Sequence, residues 1–162
     1  MEVSEAVGSD HQLARLLQIG IVLEEVVEAR AERHLESLGD DAHDDVVALL
    51  EEAAAESHDH RDRLATLVAE LNAEAKPYEE IETLVRERYA RTKPDDFDDL
   101  LYDQLCNEET AYKFYDDLIG ALEATDATFG IDRDELLSVL RSIRDEEAEG
   151  VEDVTKLMEE LP

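Results

Sequence analysis

The sequence predicts an all-α fold, an antiparallel four-helix bundle of two helical hairpins joined by a long crossover with a short extra helix. Three observations predict it. Leu, Ala, Val and Glu dominate while aromatics make up only 5% of the chain, a composition that favours helices over strands. Four long stretches place apolar residues in alternating steps of four and three, which keeps them on one helical face. The first and third connections are short, so their helices are antiparallel neighbours, whereas the second is long enough to travel the length of a bundle. No strand pattern competes, and the 162 residues suit a single domain spanning 1–162.

The first helix is expected from Ser9 or Asp10 to Leu38, with Gly39 as the C′ residue that stops it. Its stripe is Leu13, Leu17, Gly20, Glu24, Val27 and Ala31, interrupted by Glu24. The second starts after Asp40–Asp41 and runs to about Ala73, with the stripe Val46, Leu50, Ala53, Ser57, His60, Leu64, Leu67 and Leu71. Pro77 to Arg91 carries Ile81, Leu84, Val85 and Tyr89 in helical spacing, which gives the short extra helix. The third begins at Thr92-Lys-Pro-Asp-Asp, where Pro94 suits a first turn, and ends near Thr125. It carries Leu101, Leu105, Glu108, Tyr112, Tyr115, Ile119 and Leu122, interrupted by Glu108. The fourth opens with Asp132 and Glu135 in capping-box spacing and continues to the C-terminus. Its stripe is Leu136, Leu140, Ile143, Glu147, Gly150, Val154, Leu157 and Leu161.

The charge narrows the class of protein. Asp and Glu number 45 against 15 Lys and Arg, a net charge of −30, and four of those cations are lysines (Lys76, Lys93, Lys113, Lys156). Self-repulsion on this scale destabilises a compact fold at low ionic strength, and near 1 M salt a Debye length of about 3 Å screens it. Such a surface resembles those of cytoplasmic proteins in salt-accumulating halophiles, which sets the expected host physiology. A calcium buffer or acidic interaction module is the alternative, but no D-x-[DN]-x-[DN]-G loop occurs. No stretch gathers the Lys and Arg that a phosphate backbone requires, so nucleic acid is not an expected partner.

Cys106 is the single cysteine, which excludes an internal disulfide, a cysteine zinc site and a rubredoxin-type iron centre. The start Met-Glu-Val-Ser-Glu-Ala lacks the basic and apolar segments of a signal peptide, and no apolar run approaches the ~20 residues of a membrane span. The expectation is a soluble, cytoplasmic protein with no membrane partner.

The interruptions of the four stripes are the chemical content of the sequence. Helices one and three have one each, Glu24 and Glu108, while helices two and four each have two positions three apart, Ser57/His60 and Glu147/Gly150. Each lies near its helix midpoint, so in an antiparallel bundle all four fall at one level. The chain reads as a duplicated hairpin with a polar layer at mid-height.

Two stretches carry a resemblance. In Asn107–Leu122, Glu108 is followed seven residues later by the tyrosine of the Phe114–Tyr115 pair, and Ile143–Leu157 contains the run Asp145-Glu146-Glu147. As a pattern over nearly the whole chain, this resembles the ferritin-like superfamily and its rubrerythrin-like branch in particular. In that family a Glu from each of helices one and three, and a Glu-x-x-His pair from each of helices two and four, hold two irons. The resemblance implies metal-ligand roles for Glu24, His60, Glu108 and Glu147. It departs at Ser57, where the second-helix Glu belongs, and at Gly150, where the fourth-helix His belongs. Glu56, adjacent to Ser57, reaches inward if the helix rotates or carries a π-bulge, and His58 lies off the stripe, facing solvent.

Three carboxylates and one imidazole suit one divalent iron, manganese or zinc ion. Without metal, the clustered carboxylates raise one another's pKa values, and Ser57 and Tyr112 are expected to supply hydrogen bonds. Gly150, which costs about 1 kcal/mol in mid-helix, is expected to leave room for water, a small ligand or an added metal ligand. The acidic runs at Asp40–Asp45, Asp95–Asp99 and Glu146–Glu152 read as solvated surface, Glu147 excepted. Three functions follow: a ferritin-like protein with a reduced iron or manganese site that handles iron or peroxide; a metal-free interaction scaffold; or a di-iron oxidase or peroxidase that recruits Glu56. A redox role requires an external electron donor, because the chain has no rubredoxin domain, and the resemblance implies a homodimer.

Overall fold

The computed structural model describes residues 7–71, 73 and 97–160. Among them are four helices and no strand, consistent with the expected helical bundle: α1 (Asp10–Ser37), α2 (Asp44–Glu70), α3 (Phe97–Ala124) and α4 (Arg133–Glu160). The expected short helix at Pro77 to Arg91 and the start at Thr92–Asp96 lie outside the described residues. No described helix is long and apolar enough to cross a membrane.

The ends of the helices follow local chemistry. Ser9 is extended and its hydroxyl accepts a hydrogen bond from the Gln12 backbone N–H, which fixes the start of α1. His43 starts α2 in the same way, its Nδ1 accepting from the Asp45 N–H at 3.1 Å. Gly39 follows the C-cap Leu38 and so occupies the expected C′ position, without a left-handed backbone. No described glycine has positive φ; Leu38 itself turns extended (φ −76, ψ 139), and its N–H reaches the His34 and Leu35 carbonyls. At the far end of the molecule Arg133 donates to the Leu122 carbonyl, and at 2.7 Å to that of Thr125, covering orphan acceptors at the end of α3.

Helix α1 packs on α2 and α3, and α4 packs on α3 and α2, so the helices form a ring around one interior. That interior has two apolar clusters. The larger joins Leu13 and Leu17 of α1, Leu64 and Leu67 of α2, Leu118 and Leu122 of α3, and Leu136 and Leu140 of α4. The smaller joins Ala31, Val46, Leu50, Leu100, Leu101 and Leu157. Each fully buried Leu contributes about 1.5–3 kcal/mol, so the two clusters hold the helices in register from both ends. Between them the interior is polar.

The stripes of α1 and α2 are buried as expected over their described lengths; on α4 only Gly150 is half-buried, and Leu161 is outside the described residues. Helix α3 buries Leu101, Glu108, Tyr115, Ile119 and Leu122 as expected, but two positions of its stripe depart. Tyr112 is 37% exposed and Leu105 is half-buried, whereas Gln104, Glu108, Ala111 and Tyr115 face inward. Gln104 and Ala111, each one residue before an expected position, widen the buried face on one side, and spacing alone does not fix where that edge lies.

Candidate metal centre

The polar layer is built from one side chain of each helix. Glu24, His60, Glu108 and Glu147 are 1%, 0%, 6% and 3% exposed, so each has left water and must find partners inside. His60 is the hub. Its Nδ1 lies 3.0 Å from Glu147 Oε1 and 3.2 Å from Glu24 Oε1. One donor atom from each of Glu24, His60 and Glu147 falls within a set no wider than 4.8 Å. Three of the four expected residues therefore converge directly, and Glu108 joins them through a hydrogen bond with Glu147.

Glu108 also accepts from Gln104 Nε2 at 2.9 Å, one helical turn earlier. Its carboxylate lies against α4: a Cβ built on Gly150 would stand 2.6 Å from Glu108 Oε2 and 2.9 Å from its Cδ. The Glu108 carboxylate thus takes part of the space expected to be open at Gly150, and a small cavity remains beside it. The hydroxyl donor to the cluster is likewise Tyr115, not the exposed Tyr112. Tyr115 donates to Glu24 Oε1 at 2.6 Å from a fully enclosed position edge-on to Phe114. Ser57 is buried where the resemblance placed a carboxylate, and Glu24 Oε2 is buried without a hydrogen-bond partner.

Crowding sets the protonation. Burial pushes the Glu147 carboxyl far above the usual carboxylate range, and the charges of Glu24 and Glu108 push it further, so it holds a proton. Burial raises Glu108 as well, against hydrogen bonds from Glu147 and Gln104 that favour its charged form. Burial alone would lower His60, but the Glu24 hydrogen bond and the charges of Glu24, Glu56 and Glu146 more than reverse this and raise it. Burial and the charge of Glu24 keep the Tyr115 phenol protonated.

A second group flanks the first. His60 Nε2 lies 3.3 Å from Glu146 Oε2 and 3.8 Å from Glu56 Oε1, and Asp59, His60 and Glu146 form another set of metal-capable donors. Arg63 already sits among them, with Nη2 paired to Glu146 and, at 2.9 Å, to Asp59. Glu56 reaches His60 from an unbroken α-helix, so no π-bulge is required. Burial, partly offset by His60 and reinforced by Glu108, raises its carboxyl to about 7. His58 faces solvent as expected, 56% exposed. The sequence reading assigned Glu146 to the solvated surface. The signal against this was its place beside Glu147, from which a long side chain reaches around the helix.

No protein-family model, no curated protein and no solved structure matches this chain. The site must therefore be judged on its donors. One imidazole nitrogen and clustered carboxylates fit a single divalent cation, and the orphaned Glu24 Oε2 is an acceptor that such an ion would satisfy. A two-metal centre fits poorly, because Ser57 and Gly150 offer no carboxylate or imidazole.

Proposed function

We propose that this chain is a ferritin-like, rubrerythrin-like antiparallel four-helix bundle that binds one divalent transition-metal ion, iron or manganese, in its core. Glu24, His60 and Glu147 are the ligands, with Glu108 as a third carboxylate able to swing toward the ion. One observation carries the reading: donor atoms from three different helices lie within 4.8 Å of one another at positions removed from water. The two apolar clusters support the antiparallel order, since each joins the early part of one helix to the late part of its neighbour.

The metal-free core is balanced by protons on Glu147 and His60. A dication replaces those charges, so binding releases protons and affinity rises with pH. Bound iron or manganese would supply redox or Lewis-acid chemistry, and iron or peroxide handling in a salt-rich cytoplasm, with an outside electron donor, is the physiological role proposed. The rival reading is a metal-free scaffold. It is favoured by the internal partners of the core groups, Tyr115 on Glu24 and Gln104 on Glu108.

Metal analysis separates the two. Protein kept in molar KCl, exposed anaerobically to Fe²⁺ or to Mn²⁺ and then desalted, is expected to retain about one equivalent, and the Glu24→Gln and His60→Ala variants far less. Retention below about a tenth of an equivalent by the unaltered protein favours the scaffold.

A further inference from the structure

We infer that the seam between α2 and α4 is the way in for the cation, with Glu52 and Asp153 at its mouth, Glu56 along it and Glu108 at its floor. This rests on the metal-binding reading above. A cavity of about 20 Å³ lies in this seam, lined by Glu52, Glu56 and Asp153 together with Glu108 and Gly150. Glu52 and Asp153 are exposed, Glu56 is 27% exposed and Glu108 is 6% exposed, so carboxylates descend stepwise from solvent into the core. Glu108 is the most accessible of the four core residues and the only one of them that lines the cavity. It is hydrogen-bonded to Glu147, which is in turn within the set of donors around His60.

Gly150 makes this route possible. A side chain there would meet the Glu108 carboxylate and force it to shift. The cavity has room for about one water-sized particle, so an ion must shed most of its hydration shell to pass. Carboxylates spaced along the way replace that shell in turn, and the negative walls raise the local cation concentration. A chelated or otherwise bulky metal complex is excluded by size.

The test is the rate of Co²⁺ uptake in molar KCl, followed by visible absorption after rapid mixing with the full chain. The double variant Glu52→Gln/Asp153→Asn is expected to load about tenfold more slowly than the unaltered protein while reaching the same final stoichiometry. A control pair at exposed sites away from the seam, Glu36→Gln/Glu109→Gln, removes the same charge and is expected to load at the original rate. Unchanged loading by the seam variant, or equal slowing by the control pair, overturns the route while leaving the metal site standing. Failure of the unaltered protein to take up Co²⁺ overturns both together.

Discussion

Gly150 of α4 and Glu108 of α3 meet in the polar layer, and the Glu108 carboxylate lies where a side chain at Gly150 would stand. The mid-helix glycine costs about 1 kcal/mol in propensity, and what it provides is a place for a buried carboxylate. Tyr115 has a comparable role for Glu24. Its hydroxyl is the 2.6 Å donor to an oxygen that otherwise shares only the His60 ring nitrogen. Tyr115→Phe is expected to destabilise the metal-free protein by about 1–3 kcal/mol, because a buried charged acceptor loses its donor. Tyr112→Phe, at an exposed position, is expected to stay within about 0.5 kcal/mol. Urea unfolding of both variants in molar KCl checks the pair, and equal losses would show that Tyr115 acts through packing alone.

At the scale of elements, the hairpins are fastened by groups outside the metal-capable layer. Arg133 closes the C-terminal end of α3, and the Gly130 N–H donates to Asp10 at 3.1 Å, tying the α3–α4 loop to the start of α1. Nearer the other end, Arg30 and His34 of α1 meet Asp103 of α3 at 3.0 and 2.8 Å, and Arg30 also reaches Asn107. These are pairs four residues apart on each helix, so a single register satisfies all of them. Arg133→Ala is expected to cost about 1–2 kcal/mol by exposing the Leu122 and Thr125 carbonyls as orphans. The expected signature is a lower urea midpoint with an unchanged slope; an unchanged midpoint would mean that water caps α3 equally well.

For the whole molecule, the core titrations and the surface charge act in one direction. The Glu56, Glu108 and Glu147 carboxyls are raised in the folded state, so the unfolded chain releases protons first as pH rises and folding loses stability. His60 is raised too, and the stability it adds below its unfolded value is lost as pH rises through the folded value. Ionisation of the 45 acids adds self-repulsion over the same range. The metal-free protein is therefore expected to melt at a higher temperature near pH 5 than near pH 8 at fixed salt, with Glu56 contributing up to about 7. The proposed metal binding would reverse the trend by replacing the protons. A melting temperature that rises with pH in the metal-free protein would contradict this account of the core.

What the sequence determined by itself was local and periodic. Spacing alone located four helices and the polar interruptions Glu24, His60, Glu108 and Glu147, because apolar steps of three and four follow from the pitch of a single helix. The tertiary structure decided what depends on rotation and on the gaps between helices. It set the edge of the buried α3 face, so that Gln104 and Ala111 are enclosed while Tyr112 is exposed and Leu105 half-buried. It also set the Glu108 carboxylate over Gly150, and brought Glu146 and Glu56 to the outer nitrogen of His60. A small shift in the edge of a helix face and the length of a glutamate side chain are enough to change each of these contacts, and only packing against the other three helices fixes them.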